Sequence, residues 1–126
     1  MTMRKSIYVD TFPHANPTPA ACLVGNMVFT AVIYGREPAS QQVPVDMDLQ
    51  CQYMFEHVRT IVEAAGGSLD NIVKMTLWMV DKQERDIVNR HWLSYFPDPA
   101  TRPARHTQSG EFTGNIRIQC DFIAVL

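Results

Sequence analysis

The stretch "RPARHTQSG", Arg102 to Gly110, gathers two arginines, one histidine and the hydrogen-bonding side chains of Thr107, Gln108 and Ser109, with no carboxylate among them. A guanidinium is a planar fork of donors that pairs bidentately with a carboxylate and keeps its charge when partly buried. Arg105 is therefore placed either to hold the carboxylate of a ligand or to pair with an acid from elsewhere, such as Asp121 or a neighbouring subunit. His106 has a side chain that titrates near neutrality. Strand alternation sends it to the face opposite Arg105, as a structural or rim residue, and only a bulge would redirect it as a general base. Arg102, directly before Pro103, reads as a solvated or interface charge.

Other reactive side chains form no such grouping. Cys22, Cys51 and Cys120 are an odd number without CxxC spacing, which fits neither a disulfide framework nor a zinc ribbon, so the expectation is reduced and mostly buried thiols. His14, His57, His91 and His106 are scattered with no HExxH motif, and neither a metal nor a cofactor is expected. His57 and His91 fall at helical spacing among apolar neighbours, as packing or surface residues.

The frame around these residues is a single domain, residues 1–126, with 46% hydrophobic and 19% charged residues. With 11 Lys+Arg against 13 Asp+Glu, the net charge of -2 gives no reason to expect a nucleic-acid partner. The apolar runs are too short for a membrane span, and no apolar leader precedes Ile7-Tyr8-Val9, so a cytoplasmic protein is expected.

Local patterns then place the elements. Lys5 to Asp10 predicts a strand, and Pro13, Pro17 and Pro19 keep the next passage from being helical. Cys22 to Val24 and Met27 to Ile33 flank Gly25-Asn26, which predicts a hairpin. Asp46 offers an N-cap to a helix running to Ala65, whose Cys51, Met54, Phe55, Val58, Ile61 and Val62 recur at three and four before Gly66-Gly67 stops it. Val73, Met75, Leu77 and Met79 alternate with Lys74, Thr76, Trp78 and Val80, a strand with one buried face. A second helix is predicted over Lys82 to Tyr95, then strands through Arg105 to Gln108 and Ile116 to Val125. The order β-β-β-α-β-α-β-β implies a mixed sheet covered on one face by the two helices.

The last strand shows what that arrangement leaves open. Ile116, Ile118, Cys120, Phe122 and Ala124 can bury against the helices, while Arg117, Gln119, Asp121, Ile123 and Val125 fall on the other face. That second set is partly apolar, and a copy of the same protein is the economical cover for it. Arg117 is a candidate partner for Asp121, along the strand or across a subunit boundary.

Taken in order, "VGNMVFT" (Val24 to Thr30), "IVEAAGGSLDNIVKMTLWMVD" (Ile61 to Asp81), Val88-Asn89, Tyr95-Phe96, "RPAR" (Arg102 to Arg105) and the terminal "DFIAVL" resemble the YjgF/RidA reactive-intermediate deaminase family. The resemblance runs from about Pro17 to Leu126. It implies an α+β, chorismate-mutase-like fold of the bacillary type: a mixed six-stranded sheet covered on one face by two helices, assembled as a homotrimer with a central β-barrel-like core. It implies ligand sites in the clefts between subunits, where Arg105 holds the carboxylate of a small imine or enamine and hydrolysis releases ammonia and a 2-keto acid. Asn89, Thr18, Ala31 and Thr107 occupy the family's other substrate-binding positions.

This chain departs from the family at its catalytic position. The family's deaminases use a glutamate on the last strand to activate water, and here that position is Gln119. A neutral amide orients a water but does not take its proton at neutral pH. Thr18 stands where the family has tyrosine, Ala31-Val32-Ile33 where it has Ser-Gly-Gln, and Thr107 where cysteine is frequent. Two readings follow: a trimeric deaminase with Arg105 and Gln119 at its centre, and a non-catalytic carboxylate-binding protein, a sensor or chaperone, with the same pocket. A ribonuclease or translation inhibitor finds no basic patch to support it.

Overall fold

The pairing of strands shows which of these local patterns survive tertiary packing. The structure, a computed structural model, describes residues 3–126. Strand β1 (Lys5–Ile7) pairs antiparallel with β2 (Ala21–Val24), and the two-residue turn Gly25-Asn26, with Gly25 at φ +59°, leads into β3 (Met27–Thr30). A two-residue strand β4 (Ile33–Tyr34) follows, then helix α1 (Met47–Ala64), β5 (Ile72–Met79), helix α2 (Arg85–Tyr95), β6 (Ala104–Ser109) and β7 (Ile118–Val125). The sheet runs β1-β2-β3-β7-β5-β6, all pairs antiparallel except β5 with β6, and β4 pairs with β7 beside that six-strand path. The α+β fold, two helices on a mixed sheet, is the expected one, but the sheet has seven strands where six are expected, because the break after Thr30 splits the second hairpin arm into β3 and β4.

The ends of α1 lie where the sequence signals put them. The Asp46 side chain accepts from the Leu49 N–H at 3.1 Å, satisfying one of the free donors of the first turn. At the other end Gly67 N–H reaches the Val62 carbonyl and Gly66 N–H the Glu63 carbonyl, a Schellman closure that Gly66 permits by adopting φ +97°. The buried stripe Cys51, Met54, Phe55, Val58, Ile61 and Val62 packs into one core with Met75, Leu77 and Met79 of β5 and Ile118, Cys120, Phe122 and Ala124 of β7. Each such side chain contributes about 1.5–3 kcal/mol when fully buried. Val88 and Trp92 bring α2 onto the same core.

Three local expectations give way to tertiary contacts. Val73 was expected on the core face, but a bulge between Ile72 and Lys74 shifts the register, so Ile72 is buried and Val73 is 46% exposed. The second hairpin arm stops at Thr30, short of Ile33, because the Thr30 hydroxyl accepts from the Phe122 N–H at 3.0 Å and Ala31 N–H turns to the Ala20 carbonyl at 2.9 Å. Pairing with β7 resumes only at Ile33. The first residues of the expected second helix, Lys82–Glu84, form a 3₁₀ turn whose Gln83 N–H is capped by Asp81 at 2.9 Å.

Two buried polar side chains hold loops to the core. Gln50, fully buried on α1, donates from Nε2 to the Pro44 and Asn115 carbonyls, each at 2.8 Å, and its Oε1 accepts from the Arg117 N–H at 3.0 Å. The approach is close enough that a Cβ on Gly35 would stand 2.2 Å from the Gln50 carbonyl oxygen. His57, also on α1, packs against Phe12 and places Nε2 2.6 Å from the Arg36 carbonyl, an arrangement that a neutral ring satisfies by donating N–H. Burial, with help from the Arg36 charge, outweighs the raising effect of the bond to the Arg36 carbonyl and holds the His57 pKa below its ordinary 6.5. No helix among the described residues is long and apolar enough to cross a membrane.

Gln50→Ala strands two carbonyls and one N–H, and unfolding in denaturant should show a loss of about 2–4 kcal/mol; a loss under about 1 kcal/mol would mean that water replaces the amide freely. The pH dependence follows from His57, whose unfolded form takes a proton near 6.5 while the folded form resists it. Its contribution is therefore present above that pH and lost as pH falls through the depressed folded value. The denaturation midpoint should fall between about pH 7.5 and about pH 5.5, and less steeply in His57→Gln. A midpoint equally pH-dependent in both proteins would assign the effect to other groups.

Candidate functional site

The parallel register of β5 and β6 decides where Arg105 points. It sets Arg105 beside Met75 and Thr107 beside Leu77, both buried beneath the helices, so Arg105 and Thr107 rise on the helix-covered side of the sheet. Helix α2 passes there with Arg85, Asn89 and Trp92 at i, i+4 and i+7, one stripe of its surface. The Arg105 guanidinium lies 5.1 Å from the Trp92 ring centroid. A cleft of about 180 Å³ opens beside it, lined by Met79, Lys82, Arg85, Arg105 and Thr107.

Three cations and no acid line this cleft. Arg105 takes part in none of the ion pairs among the described residues, which join Asp48 to Arg90 and His91, and Glu84 to Arg117. Burial, and then the neighbouring Arg85, press its pKa below the usual arginine value. Arg117 pairs with Glu84 and not with Asp121. Asp81 caps the Gln83 N–H and Glu84 pairs with Arg117, and neither forms an ion pair with Arg105. Lys82 and Arg85 were not picked out from sequence. The signal was present, since two basic residues open a helix whose dipole favours acidic ones.

The other expected site residues lie across the sheet. Gln119 pairs with Trp78 of β5 and Tyr34 of β4, and Asp121 with Thr76, all on the face that the helices leave open. His106 pairs with the same Thr76, so it shares a row with Asp121 and points away from Arg105, with no bulge to redirect it. Burial raises the Asp121 carboxyl above the ordinary carboxylate range, partly offset by Lys74. Ala31 sits where β3 breaks, between Thr30, bonded to Phe122, and Ile33, paired with Cys120. Thr18 is exposed in the N-terminal loop and lines a separate cleft of about 300 Å³ with Phe12, His14, Pro17 and Ala20.

One chain therefore holds two groups of residues with the sheet between them: Arg105, Thr107 and Asn89 on one side, Gln119 and Asp121 on the other, with Ala31 at the break of β3. The open side also carries Phe29 at 41% and Met27 at 37% exposure, beside Ile123 and Val125 of β7 and Cys22 and Val24 of β2. That is an apolar half-face adjoining a polar one.

A family model described as Endoribonuclease L-PSP matches residues 5–125. The 2-iminobutanoate/2-iminopropanoate deaminase of Escherichia coli K12 is 31% identical over 126 residues, covering 98% of each chain. Among solved structures, the YjgF gene product of E. coli superposes with a TM-score of 0.88 at 29% identity, covering 96% of this chain and 98% of that one. E. coli TdcF with bound serine also gives 0.88, at 28% identity over 97% and 98%.

An arginine held against a second cation and lacking an acid contributes little to the fold. Arg105→Ala should change the unfolding free energy by no more than about 1 kcal/mol, the scale of its contact with the Trp92 ring. A loss above about 3 kcal/mol would mark it as one half of a structural ion pair, answered by an acid from another subunit.

Proposed function

The chain belongs to the Endoribonuclease L-PSP family, that of the YjgF/RidA reactive-intermediate deaminases, and on that footing we propose that it is a homotrimer that binds a small imine or enamine carboxylate through Arg105 and hydrolyses it slowly. The observation that carries this reading is the half-buried, unanswered guanidinium of Arg105 in a cleft without a carboxylate. A ligand carboxylate on Arg105 fixes the imine carbon for attack by water, so orientation is supplied without a covalent intermediate. Water adds to that carbon, the C–N bond breaks, and ammonia and a 2-keto acid leave.

The trimer is argued from the division of the site. Arg105 and Gln119 occupy opposite faces of one sheet, so they converge on one ligand only when the Gln119 face of a second copy closes over the Arg105 cleft. The exposed Phe29 and Met27 give such a contact an apolar centre. Thr107 and Asn89 then line the cleft from one copy, Gln119, Ala31 and Thr18 from the next. Two ends of one substrate are held by different subunits.

Gln119 limits the chemistry. Its amide places a water but leaves the proton where it is, and general-base assistance is commonly worth about a hundred- to ten-thousand-fold. Asp121 lies about 7 Å further along the same face, reachable only by a differently seated ligand. The same amide is the one observation favouring the second reading, a carboxylate-binding sensor or chaperone with little turnover. The ribonuclease activity of the family's description has less support, because the cations here line a cleft of about 180 Å³ and form no extended patch.

Sedimentation equilibrium should give a trimer at micromolar concentration, and Phe29→Asp should yield a monomer that has lost acid binding with Arg105 intact; a monomeric wild type would end the composite site. Trapping the imine of a small amino acid with semicarbazide should show turnover well below that of a glutamate-bearing relative, and Gln119→Glu should raise it. Undiminished wild-type turnover would transfer the base role to Asp121 or His106.

A further inference from the structure

One carboxylate does not balance this cleft. Lys82, Arg85 and Arg105 all line it and no acid does; Lys82 and Arg85 are solvent-exposed, so a singly charged ligand on Arg105 leaves these two cations at the cleft's rim answered by water alone. Of the acids of the same segment, Asp81 caps the Gln83 N–H, Glu84 pairs with Arg117, and Asp86, in the first turn of α2, does not line the cleft. Arg85 is anchored by its Nε, which donates to the Lys82 carbonyl at 3.1 Å. That contact uses the base of the guanidinium and leaves its two terminal nitrogens for a ligand. Gathering like charges carries a repulsive cost, visible in the way Arg85 adds to burial in lowering the Arg105 pKa. A cleft of about 180 Å³ is of a size for a small acid.

We propose, resting on the reading of Arg105 as a carboxylate anchor, that the ligand is a small organic acid with a second anionic group, carboxylate or phosphate, held by Arg85 with Lys82. Arg105 takes the carboxylate next to the reacting carbon, and the second anion reaches the start of α2. The deaminase substrate is then a 2-imino acid with a charged side chain. Water adds across its C=N bond, ammonia departs, and a 2-oxo acid with the same second anion remains. No oxidant or reductant is needed. The reaction that supplies it is one that turns an acidic or phosphorylated amino acid into its imine or enamine.

Calorimetric titration at fixed ionic strength tests this with propionate, succinate and phosphoglycolate as probes. At least one of succinate and phosphoglycolate should bind about tenfold or more tighter than propionate. Arg85→Gln should bring that ratio close to one, and Arg85→Lys should restore part of it. Equal affinity of the wild type for all three acids, or a ratio untouched by Arg85→Gln, overturns the second anchor. Absence of any acid binding to the wild type, or propionate affinity unaffected by Arg105→Ala, overturns the Arg105 reading beneath it.

Discussion

Two helices cover one face of a sheet, and a sheet has two. In this chain α1 and α2 bury Met75, Leu77 and Met79 of β5 and Ile118, Cys120, Phe122 and Ala124 of β7, and the pleat then forces every intervening residue of those strands to the other side. Gln119, Asp121, Thr76 and Trp78 are on the open face for that reason alone. The parallel pairing of β6 with β5 sets Arg105 and Thr107 in phase with the buried row, so they emerge at the helix edge. The separation of the two groups of site residues is thus a consequence of how the core is built.

The two polar side chains fully buried in this core are answered. Gln50 uses all three of its contacts to tie α1 to the loop before it and to the start of β7, and His57 is held neutral against a carbonyl. Arg105 is different. It is half-buried, lies over the Trp92 ring, faces Arg85 and has no acid, an arrangement that costs stability unless a ligand completes it.

Much of the fold was legible because its signals are local. Asp46, Gly66-Gly67 and Gly25-Asn26 act on neighbouring backbone groups, so cap, stop and turn could be read directly. The break of β3 could not, since it depends on a hydroxyl of Thr30 meeting an amide of Phe122 that is distant in sequence. Nor could the bulge at Val73, which answers to the register of β7. In the site, the alternation that separates His106 from Arg105 was readable within one strand. The meeting of Lys82 and Arg85 with Arg105 was not, because it requires β6 to lie parallel beside β5 under the start of α2. Likewise, the parity that sends Arg105 and Gln119 to opposite sides is a property of pairing between strands.

The most direct test of a site shared between copies is complementation. Arg105→Ala removes the anchor from one side of the cleft, and Gln119→Trp fills it from the other, so neither protein alone should bind propionate or succinate. Co-refolded in equal amounts, they should regain binding in about a quarter of the clefts, those in which an intact Arg105 from one parent meets an intact Gln119 from the other by random assortment. A mixture that binds no more acid than its two parents, with trimers confirmed by sedimentation, would contradict a site built across the subunit boundary.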